Sequence, residues 1–268
     1  MRAMGTVLAT LTALAGCYGF LAWPRGRRRA LGGLEGHDYA HRGLWNGDRP
    51  ENSLPAFRAA AEAGLGIELD VRLTADGQPV VFHDGTLSRM CGDERAVAEC
   101  TLAELKTMRL AGTDCAIPTL GEVLTEVAGR APILVEIKPD RRVAEVCAKT
   151  CQAMQASGAV WCMESFHPLA VRWFRRNAPG VLRGQLAYGR GGRKITPANL
   201  LVGTLGQNVL GRPDFIAYEA ATDRNPAMGL MRLIRPHLVC WTIRSQAEMD
   251  RQRARYDLQI FEGFTPKR

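Results

Sequence analysis

The sequence lacks the short motifs that mark the commoner cofactor sites. None of its eight cysteines forms a Cys-x-x-Cys pair, which argues against a zinc ribbon or a thioredoxin-type redox site. There is no Gly-x-Gly-x-x-Gly fingerprint and no Walker loop, so a dinucleotide fold has no support from motifs. No Gly-x-Ser-x-Gly elbow surrounds Ser165, against a serine nucleophile. Aromatic residues make up only 7% of the chain, and no dense basic patch is interleaved with them; a nucleic-acid partner is therefore not expected. Repeats are absent, and 46% hydrophobic residues exclude intrinsic disorder.

What is present is a 268-residue chain of net charge +8, long enough for one large domain or two small ones. Residues 1–36 carry five arginines against Glu35, a net +4, and the remaining 232 residues carry the other +4. A mildly basic body suits an anionic partner without naming one. Several cysteines lie inside apolar runs such as AVWCMES and LVCWTI, which points to reduced, buried thiols; Cys147 and Cys151 share a helix face and read as small core residues.

From Ala3 to Trp23 there is no charge. These 21 residues would span about 31 Å as a helix, enough to cross a bilayer core. Pro24 and the cluster RGRRR follow, and Tyr18, Phe20 and Trp23 lie near that end, where interfacial aromatics belong. The expectation is a transmembrane anchor over 1–24, a basic linker over 25–36 and a catalytic domain over 37–268. The positive-inside rule places that domain on the cytoplasmic side of an inner or plasma membrane. Leu14-Ala15-Gly16-Cys17 also fits a bacterial lipobox with Cys17 lipidated, which would place the domain outside; the apolar run continuing past Cys17 favours the anchor.

Beyond the linker, β-branched and aromatic runs alternate with segments of helical period. The strand candidates are Tyr39–His41, Ile67–Val71, Pro79–His83, Ile133–Lys138, Val160–Ser165, Leu182–Ala187, Phe215–Glu219, Leu238–Ile243 and Leu258–Glu262. Helices are expected over Asn52–Ala63, Thr119–Ala128, Arg142–Ala156, His167–Ala178 and Ser245–Arg255. Only seven residues link the second and third strands, whereas a parallel crossover needs about a dozen. The third strand therefore folds back as a hairpin at Asp76-Gly77. Eight strands remain, the number of an α/β (β/α)8 TIM barrel, whose usual length is about 250 residues.

In such a barrel the chemistry gathers at the C-terminal strand ends, and here those ends are polar. Glu68 and Asp70 are two apart on one strand and point to the same side; Glu136 and Lys138 repeat the pattern. Paired carboxylates inside a barrel repel and lose solvation, and a hard divalent cation with oxygen ligands, magnesium or calcium, would resolve that. Solvated edge residues are the plainer alternative for Glu68 and Asp70 alone; the repeat at Glu136 weakens it. His41 and His83 end two strands beside charged neighbours and suit a general acid and a general base. Arg42 and Lys138 supply fixed positive charge for a phosphate. Together these groups form a constellation for cleaving phosphodiesters.

The chain resembles the glycerophosphodiester phosphodiesterases, a metal-dependent TIM-barrel family related in architecture to the phosphatidylinositol-specific phospholipases C. The matching text is AHRG (40–43), PENS (50–53), AAEAGLGIELDVRLTADGQPVVFHDGTLSRMCG (60–92), IPTLGEVL (117–124), VEIKP (135–139), SF (165–166) and WTIRS (241–245). The resemblance implies His41 and His83 as the acid/base pair, Glu68, Asp70 and Glu136 as ligands of one Mg²⁺ or Ca²⁺, and Arg42 and Lys138 as phosphate contacts. It implies that Glu51 and Asn52 shape the site, with Asn52 near the metal or phosphate. The implied reaction converts a glycerophosphodiester to glycerol 3-phosphate and an alcohol, through attack by a glycerol hydroxyl and a cyclic phosphate that water opens.

The chain departs from the family at the barrel mouth. Arg244 stands where an asparagine is common, and Glu262 lies near the position of a usual aspartate; both bear on the head group rather than the chemistry. Trp241 either packs over the substrate glycerol or belongs to the core. The basic, glycine-rich stretch Tyr188–Lys194 reads as a head-group contact or as a solvated loop. A lysophospholipase D acting on membrane lipids is the variant within the class. A catalytically silent phosphate-ligand scaffold is the rival outside it, and retention of both histidines, three carboxylates and Lys138 argues against that. No protein partner is expected.

Overall fold

The computed structural model describes residues 2–25 and 28–267, with side chains in the first helix described from residue 6 onward except residue 8. Gly26 and Arg27 of the expected linker, and the terminal Met1 and Arg268, lie outside the described residues. The strands are β1 (Asp38–Ala40), β2 (Gly66–Leu73), β3 (Pro79–Val81), β4 (Ile133–Ile137), β5 (Trp161–Ser165), β6 (Arg183–Ala187), β7 (Phe215–Glu219), β8 (His237–Ile243) and β9 (Leu258–Phe261). Eight of them are parallel and closed, because β1 pairs with β9 on one side and with β2 on the other. The result is a TIM barrel. β3 stands outside the ring, antiparallel to β2 with Val71 opposite Val81. Its turn closes as the sequence indicates: Gly77 takes φ 74° and donates its N–H to the Thr74 carbonyl.

Helices begin where capping side chains stand. Ser53 accepts from the Ala56 amide, and Gly64 in the left-handed region ends the same helix, Leu54–Glu62. Thr119 and Glu122 form a capping box for Leu120–Val127. Ser245 caps Gln246–Arg253, although the Glu248 carboxylate accepts from the Arg244 amide rather than completing a box with Ser245. Alternation along each strand divides the core. Ile133, Val135 and Ile137 of β4 face the surrounding helices with Phe57, Val123 and Phe174. Leu134 turns the other way, toward Tyr39, Cys162, Phe215 and Val239. Gly184 on β6 is required there, since a Cβ would meet Phe215 Cε2 at 2.0 Å. All eight cysteines are unpaired, and Cys147 and Cys151 are core residues as expected.

The N-terminal segment differs from the expected membrane anchor. Arg2–Ala22 is helical, but among the described residues no helix is long and apolar enough to cross a membrane. The end of this apolar run is engaged by the barrel itself. Ala22 is fully buried, Tyr18 donates its hydroxyl to the Thr204 carbonyl, and Asn208 donates to the Ala22 carbonyl. Arg25, Arg28 and Arg29 of the basic stretch contact the N-terminal end of the barrel. Arg25 pairs with Asp214, Arg28 with Asp257 and His237, and Arg29 donates to the Pro179 and Gly180 carbonyls.

Asp214 is the hub of this base. Its side chain is fully buried and also accepts from the Arg183 guanidinium, itself 3% exposed, at 3.2 Å. Asp214→Ala should leave that cation uncompensated and lower unfolding free energy by about 3–5 kcal/mol, read from denaturant midpoints; a shift below about 1 kcal/mol would contradict this role.

Candidate active site

At the C-terminal ends of β2 and β4 the inward positions become acidic. Glu68, Asp70 and Glu136 are all buried, and one ligand atom from each lies within 4.8 Å of the others. Strand register explains the cluster: Asp70 lies beside Glu136, and Glu136 beside Glu164 on β5. Three carboxylate oxygens at that spacing could hold a metal ion of the hard, oxygen-seeking kind. Two buried acceptors lack hydrogen bonds next to them, Asn52 Oδ1 and Glu164 Oε2, and uncommitted oxygen donors beside a carboxylate cluster fit the same purpose.

The segment after β1 wraps the cluster. Arg42 and Asn52 both adopt left-handed backbone, φ 60° and 55°, which costs each residue about 1–2 kcal/mol. That geometry aims the Arg42 amide at Glu68 Oε2, 2.9 Å away, and lets the Asn52 amide donate to the Arg42 carbonyl. Asn52 Nδ2 in turn donates to Asp70 Oδ2 at 2.8 Å. The chain can pass this closely over the helix Leu54–Glu62 only because residue 43 is glycine; a Cβ there would stand 2.9 Å from the Ala56 carbonyl carbon.

Each histidine is held by its own carboxylate. His41 Nδ1 lies 2.5 Å from Glu262 Oε2, and its Nε2 stands 4.0 Å from Glu68 Oε2. His83 Nδ1 lies 2.6 Å from Asp84 Oδ1. A carboxylate partner at Nδ1 requires the proton there and leaves Nε2 for other work. Both carboxylates are steadied by arginines, Glu262 by Arg244 at 2.7 Å and Asp84 by Arg89 at 2.7 Å. Arg89 also meets Glu51, which pairs with Arg42 at 2.8 Å.

Charge balance decides which carboxylates ionise. Burial, then repulsion from Asp70, Glu136 and Glu164, pushes Glu68 well above the usual carboxylate range. Burial also acts on Asp70, but Lys138 and Arg42 outweigh it and hold that carboxyl low. Glu136 is raised, mainly by burial, despite Lys138 at 2.7 Å. Lys138 loses solvation too, yet Glu136 and Asp70 push its pKa up to about 12. Glu262 is held at about 2, chiefly by its hydrogen bond to His41. His83 is lowered by burial, which favours its neutral form.

The structure therefore brings together His41, Arg42, Asn52, Glu68, Asp70, His83, Glu136 and Lys138. Arg42 is largely committed to protein carboxylates, although its buried Nε, 3.5 Å from Asp70 Oδ2, makes no hydrogen bond. Trp241 stands at the mouth, edge-on to Phe166 with ring centroids 5.6 Å apart, half-buried rather than sealed in the core. Two features were not assigned roles from the sequence. Glu164 faces the cluster, a position only strand register reveals. Glu262 and Arg244 act on His41 from the last two strand ends, and their only sequence signal is a paired departure from the family pattern.

Residues 41–188 match the glycerophosphoryl diester phosphodiesterase family, and the chain belongs to it. A glycerophosphodiester phosphodiesterase from Caldanaerobacter subterraneus is 44% identical over 108 residues, 37% of this chain and 43% of that protein. Glycerophosphodiester phosphodiesterase 1 from Rattus norvegicus is 38% identical over 112 residues, 37% and 34% of the two chains. The chain thus spans less than half the length of these curated relatives. Among solved structures, an Oleispira antarctica phosphodiesterase in complex with the product sn-glycerol-3-phosphate superposes with a TM-score of 0.73 at 21% identity, over 87% of this chain and 95% of that one. A glycerophosphodiester phosphodiesterase from Thermotoga maritima gives 0.66 at 26% identity, over 84% and 94%.

Because Glu68 must lose its proton to ligate a cation, and its pKa is raised, affinity for Mg²⁺ or Ca²⁺ should climb as pH rises above about 4.5. Calorimetric titration at stepped pH measures this; a profile flat from pH 5 to 8 would contradict a raised Glu68 carboxyl that ligates the cation.

Proposed function

We propose that this chain hydrolyses glycerophosphodiesters to glycerol 3-phosphate and an alcohol, with one Mg²⁺ or Ca²⁺ bound by Glu68, Asp70 and Glu136. The observation that carries the reading is the placement of two carboxylate-anchored histidines at one buried acidic cluster. The bound product named for the Oleispira antarctica structure agrees with this substrate class.

When bound, the cation offsets charge on the phosphate oxygens. The remaining work falls to the chain's own side chains. Lys138 and Arg42 add positive charge beside the phosphate and hold the Asp70 carboxylate ionised. His83, kept neutral by burial, accepts the proton of the attacking glycerol hydroxyl at Nε2. His41 carries its Nδ1 proton toward Glu262 and delivers the Nε2 proton to the leaving alcohol oxygen. The phosphorus–oxygen bond to the alcohol breaks as the cyclic phosphate forms. Water then opens the ring, with the histidines exchanging roles. Trp241 and Phe166 wall the glycerol side of the mouth.

Glycerol 3-phosphate release from glycerophosphocholine should fall about 10²–10⁴-fold in His41→Ala and in His83→Ala, with circular dichroism unchanged. Excess chelator should abolish turnover, and Mg²⁺ or Ca²⁺ should restore it. Wild-type rates in either variant, or full activity in chelator, would overturn the assignment.

A further inference from the structure

At the N-terminal end of the barrel, away from the mouth, a cleft of about 440 Å³ is lined by Trp23, Arg25, Arg175, Arg183 and Arg212. No acidic residue lines it. The arginines come from separate elements. Arg25 follows the first helix, Arg175 lies on the helix Pro168–Asn177, Arg183 opens β6, and Arg212 follows the helix Asn208–Gly211. Arg29 stands close by, 3.8 Å from Asp214. Arg25 and Arg183 share that same buried carboxylate. Arg175 and Arg212 make no ion pair among the described residues.

Five guanidinium groups thus surround one carboxylate, and arginine cannot relieve the excess by losing a proton. Burial lowers the Arg183 pKa and Asp214 opposes it, while Arg25, Arg175 and Arg29 lower it further. Arg175 Nη1 donates to the carbonyls of Val209 and Leu210, and Arg212 Nη1 to those of Phe20 and Trp23. No hydrogen bond among the described residues uses Nε or Nη2 of either side chain. Donors in such a planar fork match the oxygens of a phosphate, two at a time. The Arg212 guanidinium also lies over the Phe20 ring, 4.6 Å from its centroid, so it touches the first helix and belongs to the barrel.

We propose that this cleft binds a phosphate group, held by Arg175 and Arg212 with Arg25 beside them. The bound anion offsets the excess charge and fastens the end of the first helix to the barrel. The site is separate from the carboxylate cluster, at the other ends of the strands, and takes no part in hydrolysis. A soluble phosphate ester and the phosphate of an anionic lipid head group present the same oxygens to these arginines, and experiment tells the two apart.

The test uses the full chain in chelator, with inorganic phosphate as the probe and sodium chloride of equal ionic strength as the control. Melting temperature should rise with phosphate and not with chloride. Calorimetric affinity for phosphate should fall by at least about tenfold in Arg175→Gln, a change at an exposed position. Arg175→Lys, which keeps the charge and loses the fork, should be weakened less. Loss in Arg175→Gln but not in His83→Ala places the phosphate in the cleft rather than at the mouth. Flotation with phosphatidylcholine vesicles, with and without phosphatidic acid, separates the two sources. A preference for phosphatidic acid that Arg175→Gln abolishes assigns the phosphate to a lipid head group. Phosphate binding without that preference assigns it to a soluble ester. Effects that are absent from the wild-type chain, or that persist unchanged in Arg175→Gln, would overturn the proposal.

Discussion

Four carboxylates cannot share the mouth of an apolar barrel unless positive charge shares it with them. Glu68, Asp70, Glu136 and Glu164 are each buried, and Lys138 with Arg42 are the cations that face them. The balance is incomplete. Two cations hold Asp70 ionised, while Glu68 and Glu164 are driven toward their protonated forms by burial and by their neighbours. A cluster in this state is poised to take up another cation in exchange for protons. The left-handed residues Arg42 and Asn52, the glycine at 43 and the arginine-braced carboxylates around both histidines all support this one arrangement.

The layering of the barrel explains why that arrangement is tolerated. Below the acidic layer, Tyr39, Leu134, Cys162 and Phe215 fill the interior with apolar volume, so the carboxylate cluster is confined to one end of the barrel. At the opposite end, Asp214 and Asp257 hold Arg25 and Arg28, tying the N-terminal segment across the base. Stability and chemistry are thus assigned to opposite ends of the same strands, the division this fold imposes.

Much of this was legible from local pattern. Strand alternation and a seven-residue link exposed the hairpin and the count of eight, and the i, i+2 spacing put Glu68 with Asp70. The 3.6 period located the helices Leu54–Glu62 and Leu120–Val127 to within two residues at either end. What escaped depends on distant partners. Glu262 meets His41 across 221 positions, and Glu164 joins the cluster only through the register of β4 and β5. The first helix is the exception to local legibility: its end packs on the barrel through half-buried Tyr18 and buried Ala22, while Val7, Leu11, Leu14 and Phe20 stay exposed.

The claim on which the rest hangs is that the buried carboxylates form a cation site. Crystals of the full chain grown with Mn²⁺ and measured at its absorption edge test it most directly. An anomalous peak within bonding distance of Glu68, Asp70 and Glu136, lost in Glu68→Gln, is the predicted result. A peak absent from that cluster at saturating Mn²⁺ would contradict the account.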